Sequence, residues 1–263
     1  MIAQLYAPLQ QYVPGVISLM IRHVWDLHRQ QHIPVKQAWI DCAWIGRLIT
    51  LDNRVQDRES RMHIEGWSQL EDTLIACLES CKNKQELDKA ADDCMQLIQP
   101  VIKKRFQRDY RMPPRKFHCW WYTIHEEGTL LAVHLVNAYQ PESPFAHLHH
   151  FAHTLLMTIE DALASYPHIS RVSCGSWLNQ TTRFRQMWPL SFQHNVRVLN
   201  ETGGFGPGVW GQYMTTEGGF HASKAATLLT SGKHPFALTE AESPLEEMLP
   251  HISRIAEQTR QGS

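Results

Sequence analysis

Residues 129–178 constrain the fold more than any other stretch of this chain. They read as a strand (TLLAVHLVNAY), a proline-bearing loop (QPESPF), a helix (AHLHHFAHTLLMTIEDALASYP) and a second strand (HISRVSCGSWL). A strand–helix–strand run of this length is a crossover unit. Its two strands lie parallel, its helix covers one face, and its hand is expected to be right. Ligands of such sheets lodge beyond the carboxyl ends of the strands. Two segments fall there, residues 134–144 and 174–179.

The chain has 263 residues, 43% of them hydrophobic and 19% charged, enough for one large core or two modest ones. Its formal net charge of -1 supplies no broad field for nucleic acid or an anionic membrane. The basic run Lys103-Lys104-Arg105 reads as the solvated end of a helix. Residues 2–20 contain glutamines and two prolines and lack a basic start before an apolar run, so no signal peptide is expected. No stretch approaches the ~18 apolar residues needed to cross a bilayer. The six cysteines include no CxxC pair, and reduced, mostly buried thiols in a cytoplasmic protein are expected.

Apolar residues at three- and four-residue spacing predict helices around 15–30, 36–50, 63–81 and 84–109, the last kinked at Pro100. Met112-Pro113-Pro114 then blocks further helix. The expected organisation is a helical domain over 1–112 and an α+β sheet domain over 115–263. In the second, 117–124 and 129–139 form a hairpin around His125-Glu126-Glu127-Gly128, with the glycine at positive φ. Both strands are apolar on both faces and are expected to be central. Ser143 caps the crossover helix and Pro144 takes its first position. Its core face is expected to be Phe145, Leu148, Ala152, Leu155, Ile159, Leu163 and Tyr166. Farther on, a short helix over 183–187, strands at 195–200 and 209–215, a helix over 223–230, and a last helix opening at a Ser243-to-Glu246 capping box are expected.

The run HL-x-N-x-x-x-P-x-SPF, followed by a helix and a strand ending in CGSWLNQ, resembles the acyltransferase domains of the GNAT superfamily. It is most similar to a divergent subgroup with an all-helical amino-terminal domain. The resemblance spans about residues 115–220. It implies a GNAT-like mixed sheet and a thioester co-substrate, acyl-coenzyme A or an acylated carrier protein. The acceptor would be a small-molecule amine or hydroxyl. The Gly- and Arg-bearing phosphate loop usual in that superfamily is replaced here by Gln140-Pro141-Glu142-Ser143-Pro144. A tyrosine acid is likewise replaced by Phe184 and Trp188.

On that reading His134 is the general base, Ser176 assists the departing sulfur and Asn137 orients the substrate or the proton path. Backbone N–H groups of residues 135–137 would polarise the thioester carbonyl. Tyr139, Ser143, Trp177, Asn179 and Tyr122 are the candidate substrate-binding residues. Each has a plainer reading. His134 suits a satisfied core histidine, Asn137 and Tyr139 a turn, Ser176 a cap, and Trp177 the core. Ser176 and Cys174, which alternate onto one face of their strand, are also nucleophile candidates, although no GxSxG elbow is present.

A rival signal lies in the crossover helix. His149 and His153 are four apart and share a face, so they can chelate one iron or zinc ion if a third ligand joins them. Solvent-facing histidines are the plainer reading. The glycine-rich run over 203–208 lacks the Lys-Ser/Thr ending of a phosphate loop and reads as a wide turn or lid. A non-catalytic binding module on the same fold is the third possibility.

Overall fold

The computed structural model describes residues 2–43, 45, 66–107, 117–200 and 207–257. The Pro113-Pro114 boundary, Trp44 and most of the glycine-rich run lie outside them, as do the side chains of Lys104 and Arg105. The chain is mixed α+β and divides into two compact units, Met1–Tyr110 with Thr202–Pro235, and Arg111–Glu201 with Phe236–Ser263.

The helical unit contains α1 (Ile2–Gln31), α2 (Val35–Cys42), α3 (Trp67–Ser80) and α4 (Lys84–Gln107), the last continuous through Pro100. One buried bond and one exposed ion pair link these helices. Trp39 Nε1 donates to Glu71 Oε1 at 2.9 Å, and Arg22 pairs with Asp88 at 2.9 Å.

Segment 202–235, expected with the sheet, groups with the helices instead. Its described part forms α8 (Pro207–Trp210), a 3-10 turn (Gly211–Tyr213) and α9 (Ala222–Ser231). The strand expected over 209–215 is therefore absent. Tertiary bonds explain this, since Trp210 Nε1 donates to Cys42 O at 2.9 Å and Trp210 O accepts from Tyr12 at 3.1 Å. Gly15 lets the Phe220 ring approach so closely that an added Cβ would sit 2.6 Å from it.

The other unit is built on five strands: β1 (Trp120–His125), β2 (Leu130–Leu135), β3 (Arg171–Ser176), β4 (Arg197–Asn200) and β5 (Leu238–Pro244), in the order β1-β2-β3-β5-β4. β1 and β2 form the expected hairpin, with Gly128 at φ 96°. β1 is an edge strand, so of the two only β2 is central. β2 and β3 are parallel, joined by a short 3-10 turn and α5 (Leu148–Ser165), as the crossover pattern requires. β5 runs antiparallel to β3 through Ser243, which consequently caps nothing. The Ser243 Oγ lies 2.7 Å from Ser191 Oγ. The last helix, α10 (Leu245–Glu257), starts two residues later.

One sheet face is covered by α5 and α10. Leu131, Val133, Val172, Cys174 and Ala241 point into a core with Phe151, Leu155, Ile159, Met248 and Ile252. Burying each of the Val, Leu, Ile, Phe and Met side chains among them is worth about 1.5–3 kcal/mol. Tyr166 is not part of this core; it is 44% exposed. Between β3 and β4 run a 3-10 turn (Trp177–Gln180), α6 (Thr182–Arg185) and α7 (Leu190–His194), which begins directly after Pro189. They feed Phe184, Trp188 and Phe192 into the same core.

Candidate functional site

Strand alternation sorts the sheet residues by face. Register pairs Trp120–Leu135, Tyr122–Val133 and Ile124–Leu131 face the helices, whereas Trp121–His134, Thr123–Ala132 and His125–Leu130 face the other way. On β3 and β5, Ser173–Glu242 and Gly175–Glu240 share that second face. Ala132 and Ser173 are also a register pair, so β2 and β3 agree in facing.

The parallel register of β2 and β3 covers only Leu130–Arg171, Leu131–Val172 and Ala132–Ser173. Beyond that level β2 remains paired to β1 as far as Leu135, and β3 to β5 as far as Ser176. The two strands thus part into a wedge at their carboxyl ends. Its backbone lining follows from alternation. Val136 N–H donates to Cys119 O at 3.0 Å, so His134 also points its amide to β1 and Leu135 points the opposite way. Arg171 N–H donates to Thr129 O, so Ser173 and Gly175 likewise direct their amides to β2. The Leu135 and Gly175 N–H groups therefore turn toward the wedge. Within the expected 135–137 donor set, Val136 is already engaged by Cys119.

His134 lies half-buried on the second face. Its Nε2 is 2.9 Å from Thr123 Oγ1, which is in turn 2.9 Å from His125 Nε2. The His134 ring also lies over Trp121, with centroids 5.3 Å apart. A hydroxyl has one proton to give and can accept from the other side. The three side chains form a continuous line from the half-buried imidazole to the exposed one.

Ser176 belongs to the helix-covered face and so does not share a side of the sheet with His134. Its Oγ accepts from Leu178 N–H at 3.1 Å, capping the 3-10 turn. Asn137 braces the loop after β2. Its Oδ1 accepts from Tyr139 N–H at 2.9 Å, and its Nδ2 donates to Glu142 O at 2.8 Å. Asn179, 1% exposed, ties β3 to β5 through Nδ2 bonds to Cys174 O and Thr239 O. Tyr122 donates to Asp161 of α5 at 3.1 Å. Ser143 caps the 3-10 turn that precedes α5 and not α5 itself, accepting from Phe145 N–H at 3.3 Å; His147 takes the helix N-cap position. Trp177 stacks on Phe236 at 5.6 Å. Cys174 is fully buried, and burial pushes its thiol up to about 12, which removes the thiolate that a nucleophile requires.

Tyr139 enters a histidine cluster instead. Its hydroxyl is 2.6 Å from His150 Nδ1, and its ring stacks on His147 and meets His118 edge-on, both at 4.6 Å. His147 also pairs with Glu142. Burial raises the Tyr139 phenol well above its ordinary value. Of the two candidate metal ligands, His149 directs Nδ1 to Ile255 O at 2.8 Å, and His153 is exposed. Among the described residues no three His, Cys, Asp or Glu side chains gather as a metal site, and no helix is long and apolar enough to cross a membrane.

The residues that sequence reasoning passed over are Thr123, His125, Ser173 and Gly175. The period-2 alternation that places His134 also places each of them, once the β2–β3 register is known. Comparison with family models, curated proteins and solved structures returns no match.

Proposed function

We propose that the wedge between β2 and β3 receives the acylated pantetheine arm that coenzyme A and carrier proteins share, and that the protein transfers the acyl group to a small-molecule amine or hydroxyl. The observation that carries this reading is the parting of two parallel strands beyond Ala132 and Ser173, with His134 beside the opening. An extended thioester arm fits between strand edges whose N–H and C=O groups are exposed to it.

In the proposed reaction the acceptor's lone pair attacks the thioester carbonyl carbon. The carbonyl π pair moves to oxygen, where the Leu135 and Gly175 N–H groups receive the charge. His134 takes the acceptor's proton on its imidazole, whose Nε2 faces Thr123. The C–S bond then breaks, and the thiolate leaves with the electron pair and is protonated by solvent. His134 returns its proton to solvent through Thr123 and His125.

The metal-dependent reading has weaker support, since among the described residues no third His, Cys, Asp or Glu joins His149 and His153. A binding module without turnover is separated from a transferase by kinetics. Acetyl-coenzyme A and S-acetylpantetheine are offered with a panel of amines and alcohols. Equal use of both donors points to a carrier protein, and preference for the first points to coenzyme A. His134→Ala should lower turnover by roughly 10²–10⁴ without changing the melting temperature. Unchanged turnover would remove His134 from the reaction.

A further inference from the structure

Ser173 stands at the inner end of the wedge, in the last register pair of β2 and β3. It is 1% exposed, and among the described residues its Oγ has no hydrogen-bond partner. A hydroxyl buried unsatisfied destabilises the fold, so such a group is retained where something else satisfies it. Its side chain lies on the same sheet face as His134, whose partner position on β2, Ala132, is two residues back. Next along that face of β3 is Gly175, where an added Cβ would meet no atom within 4 Å. A buried donor without a partner therefore stands one position from that open space at Gly175, at the level where the strands separate.

We infer that the Ser173 hydroxyl donates a hydrogen bond to the carbonyl oxygen of the bound thioester, making it a catalytic residue on the face from which the acceptor attacks. This rests on the acyl-transfer reading. An arm entering from the open carboxyl ends brings its terminal acyl group to the narrow end, where Ser173 sits. His134 then lies alongside, positioned to take the acceptor's proton. The bond lengthens no covalent bond and transfers no proton; it stabilises charge on oxygen as the carbonyl becomes tetrahedral.

The test compares S-acetylpantetheine with pantetheine, which lacks the carbonyl, by titration calorimetry on the full chain. Wild type should bind the acetylated arm about fivefold to tenfold more tightly, the worth of one hydrogen bond. Ser173→Ala should lower that preference severalfold while binding pantetheine as wild type does. Its melting temperature should stay the same or rise, because removing an unsatisfied hydroxyl relieves a cost; a purely structural serine would lower it. Ser173→Cys keeps the volume and weakens the donor, and should behave like the alanine variant if the latter fails to fold. An undiminished acetyl preference in either variant overturns the role of Ser173 alone. Wild-type protein that binds neither compound overturns the acyl-transfer reading and the inference with it.

Discussion

Thr123 Oγ1 and His134 Nε2 lie 2.9 Å apart, diagonal neighbours across the β1–β2 pair on the face that α5 and α10 leave to other groups. With His125 on the far side of the same hydroxyl, the threonine links two imidazoles that β pairing alone would hold apart. Thr123→Val keeps the β-branched shape and removes the link. Because Thr123 is exposed, the fold should be unaffected. Turnover should fall about tenfold, and its pH profile should shift, since His134 loses the route for its proton. An unchanged pH profile would show that the link plays no part.

Gly175 offers a steric test of the wedge. Gly175→Val adds a side chain suited to a strand, into space where a Cβ meets nothing. Stability should change by less than about 1 kcal/mol, and binding of S-acetylpantetheine should be lost. A variant that binds normally would place the ligand elsewhere.

The core of the sheet unit should respond very differently from its rim. Leu155 is fully buried under the sheet, and Leu155→Ala should cost about 2–5 kcal/mol in chemical denaturation. Tyr166→Ala, at a position 44% exposed, should cost less than about 1 kcal/mol.

His150 gives the fold a direction of pH dependence. Burial first, then the imidazoles of His118, His153 and His147, lowers its pKa below the ordinary 6.5. The folded protein keeps it neutral, with Nδ1 facing the Tyr139 hydroxyl, while the unfolded chain protonates first as pH falls. Its contribution is therefore fully present above the unfolded value and is lost as the pH drops below about 6.5. Midpoints of denaturant unfolding at pH 7.5 and 5.5 check this. His150→Gln should narrow the difference between them.

Much of the sheet was legible in the sequence, because local signals and tertiary packing agreed there. Gly128 marks the hairpin, Ser143 and Pro144 start the crossover, and the apolar runs of β2 and β3 suit strands buried in the middle of a sheet. β5 was not legible. Its sequence, LTEAESP, has the acidic composition of a loop, and only the structure shows why Glu240 and Glu242 suit a strand: they pair with Arg197 and Arg171 on neighbouring strands. Residues 209–215 read as a strand from their aromatic and β-branched content, but Trp210 is held helical by long-range bonds that no local pattern reveals. The site was half legible. His134 stands out by its chemistry, whereas Ser173 and Gly175 are ordinary residues until the register ends beside them. Ser176 looked like the partner of His134 only because sequence proximity to the strand end says nothing about which face a residue takes.

The parting of β2 and β3 is tested most directly by residue-resolved amide hydrogen exchange in the absence of ligand. Slow exchange at His134 and Val136, whose amides point to β1, together with fast exchange at Leu135 and Gly175, is the expected pattern. Equal protection of Leu135 and Gly175 with their neighbours would mean that the strands stay paired to their ends, and that no arm can enter between them.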